Sequence, residues 1–312
     1  MTSAGSARLV VLDSVLVDLT LRVDALPDRG GDVRSDSSML APGGGFNVLA
    51  AAARQGMATC YGGRLGHGPF ADLAREALRA EGVALLREDG DALDDDLGIC
   101  VVLIDRDGER TFITAPGAEL GLERRSLDAL DVRARDYVYL SGYNLAHPEL
   151  AAVIAPWLDS ITTDAVVAFD PGARVLDSDP AALARVLART DWLLASASEC
   201  RALTGIEETS SAATELRSRV RRGVIVHDGA SGCLVVEHGV ERVAPFDTVV
   251  VDTNGAGDAH NGVLLAEFAR GAPTRVAAQR ANAAAAMAIA AGGPATAPTR
   301  ASLDAFLATR RG

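Results

Sequence analysis

The chain has 312 residues, 48% of them hydrophobic, with a formal net charge of -12. That length suits one large or two smaller domains with a sizeable core, and the acidic balance argues against a nucleic-acid binder, which would carry a basic face. Lysine is absent, which excludes a P-loop with its phosphate-gripping lysine, and the four widely spaced cysteines (Cys60, Cys100, Cys200, Cys233) read as buried free thiols.

In chain order, ARLVVLD (Ala7 to Asp13) reads as a buried strand. DLTLRVDALP, from Asp18, alternates as a strand with one wet face does. DVRSDSSML is a second extended run, ending at Pro42. PGGGFNVLAAAARQG then switches to a glycine turn followed by a helix closed by Gly56. A short strand (Ala58 to Tyr61) and a helix (Pro69 to Glu81) follow. LDDDLG (Leu93 to Gly98) reads as a solvated acidic turn, and GICVVLIDRDGERTFIT (Gly98 to Thr114) as a hairpin turning at Asp107-Gly108. From Asp136 strands and helices alternate. DYVYLSG, DAVVAFD, DWLLAS and GVIVHDG are apolar strands, separated by helices near 147–159, 180–190 and 209–221. This rhythm predicts a parallel sheet covered on both faces. CLVVEHGVERVA predicts an antiparallel hairpin, Thr248 to Val251 a β segment, and two or three helices finish the chain. The expected fold is a single α/β domain over 1–312, with a small β lid from two stretches near 14–41 and 97–115. The amino terminus lacks a signal-peptide core, and the longest apolar tract, Ala281 to Ala291, is too short to span a bilayer. The expectation is a cytoplasmic protein with no membrane segment.

DTNGAGD (Asp252 to Asp258) precedes a helix, beyond the carboxyl end of a β segment, where parallel α/β sheets bind ligands. Gly255 and Gly257 permit close backbone approach. Free amides at a helix start form an anion site that suits a transferring phosphoryl group. Asp258 then stands where it can accept the proton of an attacking hydroxyl. A plain Asp-capped turn explains the same residues, so the second glycine cluster matters. In PGGGFN, Gly43 to Gly45 expose amides, and Asn47 both donates and accepts, as sugar hydroxyls require.

PGGGFN and DTNGAGD, in that order and about 210 residues apart, resemble the ribokinase-like (PfkB) carbohydrate kinases over essentially the whole chain. LPDRGGDV is similar to the family's lid segment, DGERTFI to its lid hairpin and HDGASGCLV to its nucleotide-side turn. GAE (Gly117 to Glu119) sits where many members have Gly-Ala-Asn. The three-glycine form is most like an uncharacterised bacterial sugar-kinase branch. The resemblance implies a three-layer α/β/α core with a lid, and ATP-dependent phosphorylation of a small sugar or similar polyol. It implies Asp258 as base and Gly255, Ala256 and Gly257 as anion hole. Asp18, Gly44, Gly45 and Asn47 match substrate contacts, and Gly229, Gly232, Asn282 and Ser196 match the ATP side. Glu199 matches a position that organises Mg²⁺ through water. Asp252, Gly292 and Thr296 fall near a monovalent-cation loop, which would take K⁺. A homodimer through the lid is the expected assembly, as in some relatives.

Four departures stand out. Ser196 replaces the Asn of Asn-x-x-Glu, His260 replaces a Phe two residues after the base, and Asp13 and Leu16 replace the Gly and Asn that often precede the substrate-binding Asp. His260 reads as a ring replacing a ring, His67, His147 and His238 as surface or loop residues, and Arg106 and Arg110 as a solvated hairpin. A nucleoside kinase, with Phe46, Phe112 and Tyr143 as stacking candidates, is the alternative within the same chemistry. A catalytically silent binding protein is the alternative outside it. A dinucleotide oxidoreductase is disfavoured, because no GxGxxG follows the first strand.

Overall fold

Every residue of the first strand is apolar after Arg8, and the two sides of that strand are buried against different clusters. Leu9 and Val11 join one core, Val10 and Leu12 the other. A strand dry on both faces belongs inside a parallel sheet. The computed structural model, which describes residues 7–87, 95–293 and 295–310, shows that arrangement.

The strands are β1 (Arg8–Val11), β2 (Val15–Arg22), β3 (Ser37–Gly44), β4 (Ala58–Tyr61), β5 (Ala84–Leu85), β6 (Ile99–Ile104), β7 (Arg110–Ala115), β8 (Tyr137–Ser141), β9 (Val166–Asp170), β10 (Trp192–Ser196), β11 (Gly223–His227), β12 (Cys233–Val236) and β13 (Val240–Val243). The main sheet runs β13-β12-β11-β10-β9-β8-β1-β4-β5. Its pairs are parallel from β11 through β5, and the β12–β13 hairpin adds antiparallel strands at one edge. Helices Gly45–Arg54, Pro69–Ala80, Ala256–Ala269, Thr274–Ile289 and Arg300–Ala308 pack on one face. Pro148–Ser160, Pro180–Arg189, Ala197–Thr204 and Thr209–Arg217 pack on the other. The result is the three-layer α/β/α expected.

A second sheet, β3-β2-β6-β7, stands apart as the lid. It pairs β2 with β3 antiparallel and with β6 in parallel, bringing together the two stretches separated in sequence. Register puts Asp18, Cys100 and Thr114 on one face, with Thr20, Val102 and Phe112 beside them. Lid and core are joined tightly. β3 runs straight into the Gly45–Arg54 helix with no intervening loop, so PGGGFN is a strand end rather than the separate turn expected. The change of direction occurs at Gly44 (φ 59), where a Cβ would lie 2.3 Å from the Ser14 carbonyl oxygen.

Two expectations need correction here. No strand forms at Thr248 to Val251. The segment crosses the end of the Thr274–Ile289 helix, where the Ile289 carbonyl accepts from both Val251 and Asp252 N–H, and Val249 is 80% exposed. A strand needs a neighbouring ladder, and the segment has none. The acidic turn is also not simply solvated. Asp96 accepts from Phe70 and Ala71 N–H at 3.1 and 2.8 Å, satisfying the start of the Pro69–Ala80 helix. Leu93 and Asp94 lie outside the described residues. No described helix is long and apolar enough to cross a membrane.

Candidate active site

The carboxyl ends of the parallel strands form one edge, and chemistry-bearing side chains collect there. Asp13 follows β1, Ser141 and Asp170 end β8 and β9, Ser196 ends β10 and His227 ends β11. The Ala256–Ala269 helix begins above this edge. Its N-cap, Gly255, is left-handed (φ 71) and no side chain caps it. The first-turn amides therefore remain available to an anion. Asp258 lies in that first turn and is half-buried. Asn47, on the Gly45–Arg54 helix, donates from Nδ2 to Asp258 Oδ2 at 3.1 Å. The two glycine clusters, 211 residues apart at this contact, thus meet at one carboxylate.

Asp18 projects from β2 over the lid–core junction. A Cβ on Gly43 would lie 2.2 Å from Asp18 Oδ2, so only glycine leaves room for this carboxylate. Asp13 is fixed differently. Its Oδ1 accepts from Ser141 Oγ at 2.5 Å and from Ser14 N–H at 3.0 Å. Burial raises both Asp13 and Asp18 to about 7, with the charge of Asp258 adding to it. Burial raises Asp258 to about 6, against the lowering effect of the Asn47 hydrogen bond. Asp170 is pushed well above the carboxylate range by burial and then by Glu199 and Asp258. Four carboxylates thus share one poorly solvated region.

Beside the helix start lies a cleft of about 440 Å³. Gly229, Gly232 and Gly257 line one part of it, and Phe246, Val250 and Ile289 give an apolar wall. Glycine backbone at one end and apolar surface at the other suit phosphates and a flat base. Asn282 lines the cleft too, but its Nδ2 is committed to the Val243 and Ala244 carbonyls at 3.1 and 3.0 Å. Its Oδ1 therefore accepts from Nε2–H of His260 at 3.2 Å, which fixes that ring's tautomer. His260 is buried as the ring it replaces would be, and packs edge-on against His227 at 4.4 Å. Burial holds His227 down at about 4, and burial, with His227 beside it, holds His260 well below the usual imidazole range.

Other expected residues have structural duties. Ser196 and Glu199 form a capping box at the start of the Ala197–Thr204 helix, Ser196 N–H donating to Glu199 Oε2 at 2.8 Å. Ser196 does not line the cleft. Arg110 is not solvated. It pairs with Asp252 and donates to Thr253 Oγ1 at 3.1 Å, tying the lid to the loop before the helix. Arg106 donates to the Asp24 carbonyl and is exposed. Asp252 and Gly292 border one gap beneath the lid, and Thr296 lies nearby with its hydroxyl donated to the Ala288 carbonyl. With Arg110 already on Asp252, these residues do not fit a monovalent-cation site as they stand. Phe46 is core, which removes it as a stacking surface, whereas Tyr143 and Phe112 are exposed. His238 is 92% exposed, and His67 is exposed as well. His147 precedes the Pro148–Ser160 helix.

Sequence reasoning did not assign Asp170, His227 or Asn261 to the site. Asn261 donates to Asp170 Oδ2 at 2.8 Å. Each strand-end residue had a signal, namely a polar side chain closing an apolar strand in a parallel sheet.

A three-layer α/β/α core with a separate small β sheet, and a glycine-lined cleft at the sheet's carboxyl edge, is a ribokinase-like fold. Residues 6–300 match the pfkB family carbohydrate kinases, and the chain belongs to that family. It is 31% identical to the uncharacterised sugar kinase YegV of Escherichia coli over 298 residues, covering 94% of this chain and 91% of that protein. It is 32% identical to an ATP-dependent ribose-1-phosphate kinase of Halopiger xanaduensis, covering 97% and 99%. Among solved structures, it resembles aminoimidazole riboside kinase from Salmonella enterica, complexed with aminoimidazole riboside and an ATP analogue. The TM-score there is 0.81 at 26% identity, covering 96% of this chain and 99% of that one.

Proposed function

We propose that this carbohydrate kinase transfers the γ-phosphoryl group of ATP to a hydroxyl of a small sugar or polyol. The observation that carries the reading is Asp258, a half-buried carboxylate in the first turn of an uncapped helix, bridged to Asn47 and beside a glycine-lined cleft. ATP occupies the cleft, its base on the apolar wall and its phosphates toward Gly255, Ala256 and Gly257. The sugar lies between Asp258 and the lid, touching Asp18, Asn47 and the backbone of Gly44 and Gly45. Asp258 takes the hydroxyl proton as the oxygen attacks, and the helix amides stabilise charge on the transferring group. A coupled ADP-release screen over pentoses, hexoses, sugar acids and nucleosides tests this. Absence of acceptor-dependent ADP release across the whole panel defeats it.

Asp170 and Glu199 suit a hydrated Mg²⁺, because burial first, and then the charges of Glu199 and Asp258, raise the proton affinity of Asp170, and a nearby cation would offset both effects. When bound, Mg²⁺ supplies charge neutralisation for the phosphates. Among the described residues no cluster of three or more His, Cys, Asp or Glu side chains that could hold a metal ion exists. Glu199→Gln keeps an acceptor for the capping box while removing the charge. The expected result is an increase of about tenfold or more in the Mg²⁺ concentration for half-activation. Overlaying activation curves would restrict Glu199 to capping.

The pH profile follows from the base. Asp258 works only when ionised, and its proton affinity is raised to about 6. Activity therefore falls as pH drops through about 6 and is flat above it, until another group titrates. An acid limb of kcat near 4, measured under saturating ATP and acceptor, would contradict a buried base.

A nucleoside acceptor is the second reading. It is favoured by exposed Phe112, on the same lid face as Asp18, and by exposed Tyr143. On the opposite lid face, Ile113 and Leu40 are exposed and apolar. A second copy of the chain is the partner proposed for that surface, and sedimentation tests it.

A further inference from the structure

The acceptor end of the site is rich in hydrogen-bond acceptors and poor in donors. Asp18 has no hydrogen-bond partner for its carboxylate among the described residues, and Asp13 Oδ2 has none either, since both contacts to Asp13 fall on Oδ1. Asn47 gives its Nδ2 to Asp258, and its buried Oδ1 is left without a partner. Among the described residues, no arginine forms an ion pair with Asp13, Asp18 or Asp258, and Arg110, the lid's contribution to the opposite loop, is held by Asp252. Of these acceptors Asn47 Oδ1 is fully buried and unpaired, and a ligand that brings hydrogens would satisfy it together with the two carboxylates beside it. A carboxylate or phosphate substituent brings none at neutral pH, and adds like charge where burial already disfavours it.

We infer that the site selects neutral, hydroxyl-rich or ammonium-bearing acceptors and rejects sugar acids and sugar phosphates, and that Asp13 is a residue that sets this selectivity. The inference rests on the kinase reading above and narrows its substrate class. Asp13 stands out because Ser141 and Ser14 lock it in place with Oδ2 free, a rigid negative charge near the base.

The test uses the full chain and two matched series at pH 8. The first is D-ribose, D-ribonate and D-ribose 1-phosphate. The second is D-glucose, D-glucosamine and D-gluconate. In at least one series the neutral or amino member should be turned over, with kcat/KM for its anionic partner lower by about 10²-fold or more. An anionic member used as well as its neutral parent overturns the inference while leaving the kinase reading intact. No acceptor-dependent ADP release from either series, alongside normal ATP binding, overturns the inference, and the kinase reading falls with it only if the whole panel is silent. Asp13→Asn keeps an acceptor for Ser141 and Ser14. It should raise the anionic-to-neutral ratio of kcat/KM by about tenfold or more, and an unchanged ratio removes Asp13 from selectivity.

A measurement on the unaltered protein guards against a variant that fails to fold. The titratable groups around Asp13 and Asp18 are Asp170, Asp258 and Glu199, with the phenols of Tyr139 and Tyr143. Protonating Asp13 and Asp18, each raised to about 7, lowers the repulsion. D-gluconate, as a competitive inhibitor against the neutral acceptor, should therefore bind about tenfold tighter at pH 6 than at pH 8. A pH-independent inhibition constant overturns the inference.

Discussion

Asp258→Asn should lower kcat by at least ~10²-fold, the low end for a general base, and leave ATP affinity nearly unchanged. The substitution preserves size, and the new amide oxygen can still accept from Asn47 Nδ2. What it removes is the ability to take a proton. ATP binding should persist because the cleft is lined by Gly229, Gly232, Phe246 and Ile289 rather than by Asp258. The experiment also discriminates among neighbours. Asp13 and Asp18 are both raised to about 7, so each retains enough basicity to serve if geometry allowed. Steady-state kinetics of the purified variant, with ATP binding measured separately, decide the matter. Turnover within a few-fold of the unaltered protein would move the base to one of those carboxylates.

The parallel core was legible because its strands are apolar throughout, and period and length distinguish them from helices. The lid was legible from alternation in DLTLRV and from Asp107-Gly108 between apolar runs. Thr248 to Val251 misled because three valines read as a strand, whatever surrounds them. Whether such a run finds a ladder depends on tertiary neighbours, and here the Ile289 carbonyl takes its amides instead. The glycine clusters were legible as breaks before helices, and their meeting through Asn47 and Asp258 needed the fold. Ser196 and Glu199 carried a capping-box pattern, S-x-x-E, that the metal reading obscured. Arg110 could not be placed from sequence, since its partner Asp252 is 142 residues away.

That pairing bears on closure. Arg110 joins the far hairpin of the lid to Asp252 and Thr253, immediately before the anion hole. The lid's other attachment is the backbone junction at Ser14 and Gly45, where Gly45 N–H donates to the Ser14 carbonyl at 2.9 Å. A sheet held at both ends can cover an acceptor placed as proposed above while its inner face stays fixed in register. Asp18 lies on that face, close to the junction, where small lid movements displace it least.

Asp18→Ala should therefore raise KM for the acceptor steeply, with little change in KM for ATP. A charge-assisted hydrogen bond is worth roughly 1.5–3 kcal/mol, hence about 10–150-fold in affinity. The upper part of that range is expected, for two reasons. Asp18 has no competing partner to lose, and its buried carboxylate gains hydrogen bonds only when the acceptor arrives. Removal of a carboxylate raised to about 7 by burial also relieves the free protein, so folding should not suffer. Gly43→Ala offers an independent approach to the same contact. The added methyl would lie 2.2 Å from Asp18 Oδ2, forcing the carboxylate aside, and acceptor KM should rise in the same direction. Initial-rate kinetics with each substrate varied in turn separate the outcomes. If neither constant moves in either variant, Asp18 merely decorates the lid. If ATP binding alone weakens, the lid covers the nucleotide, and the placement of the sugar between Asp18 and Asp258 is wrong.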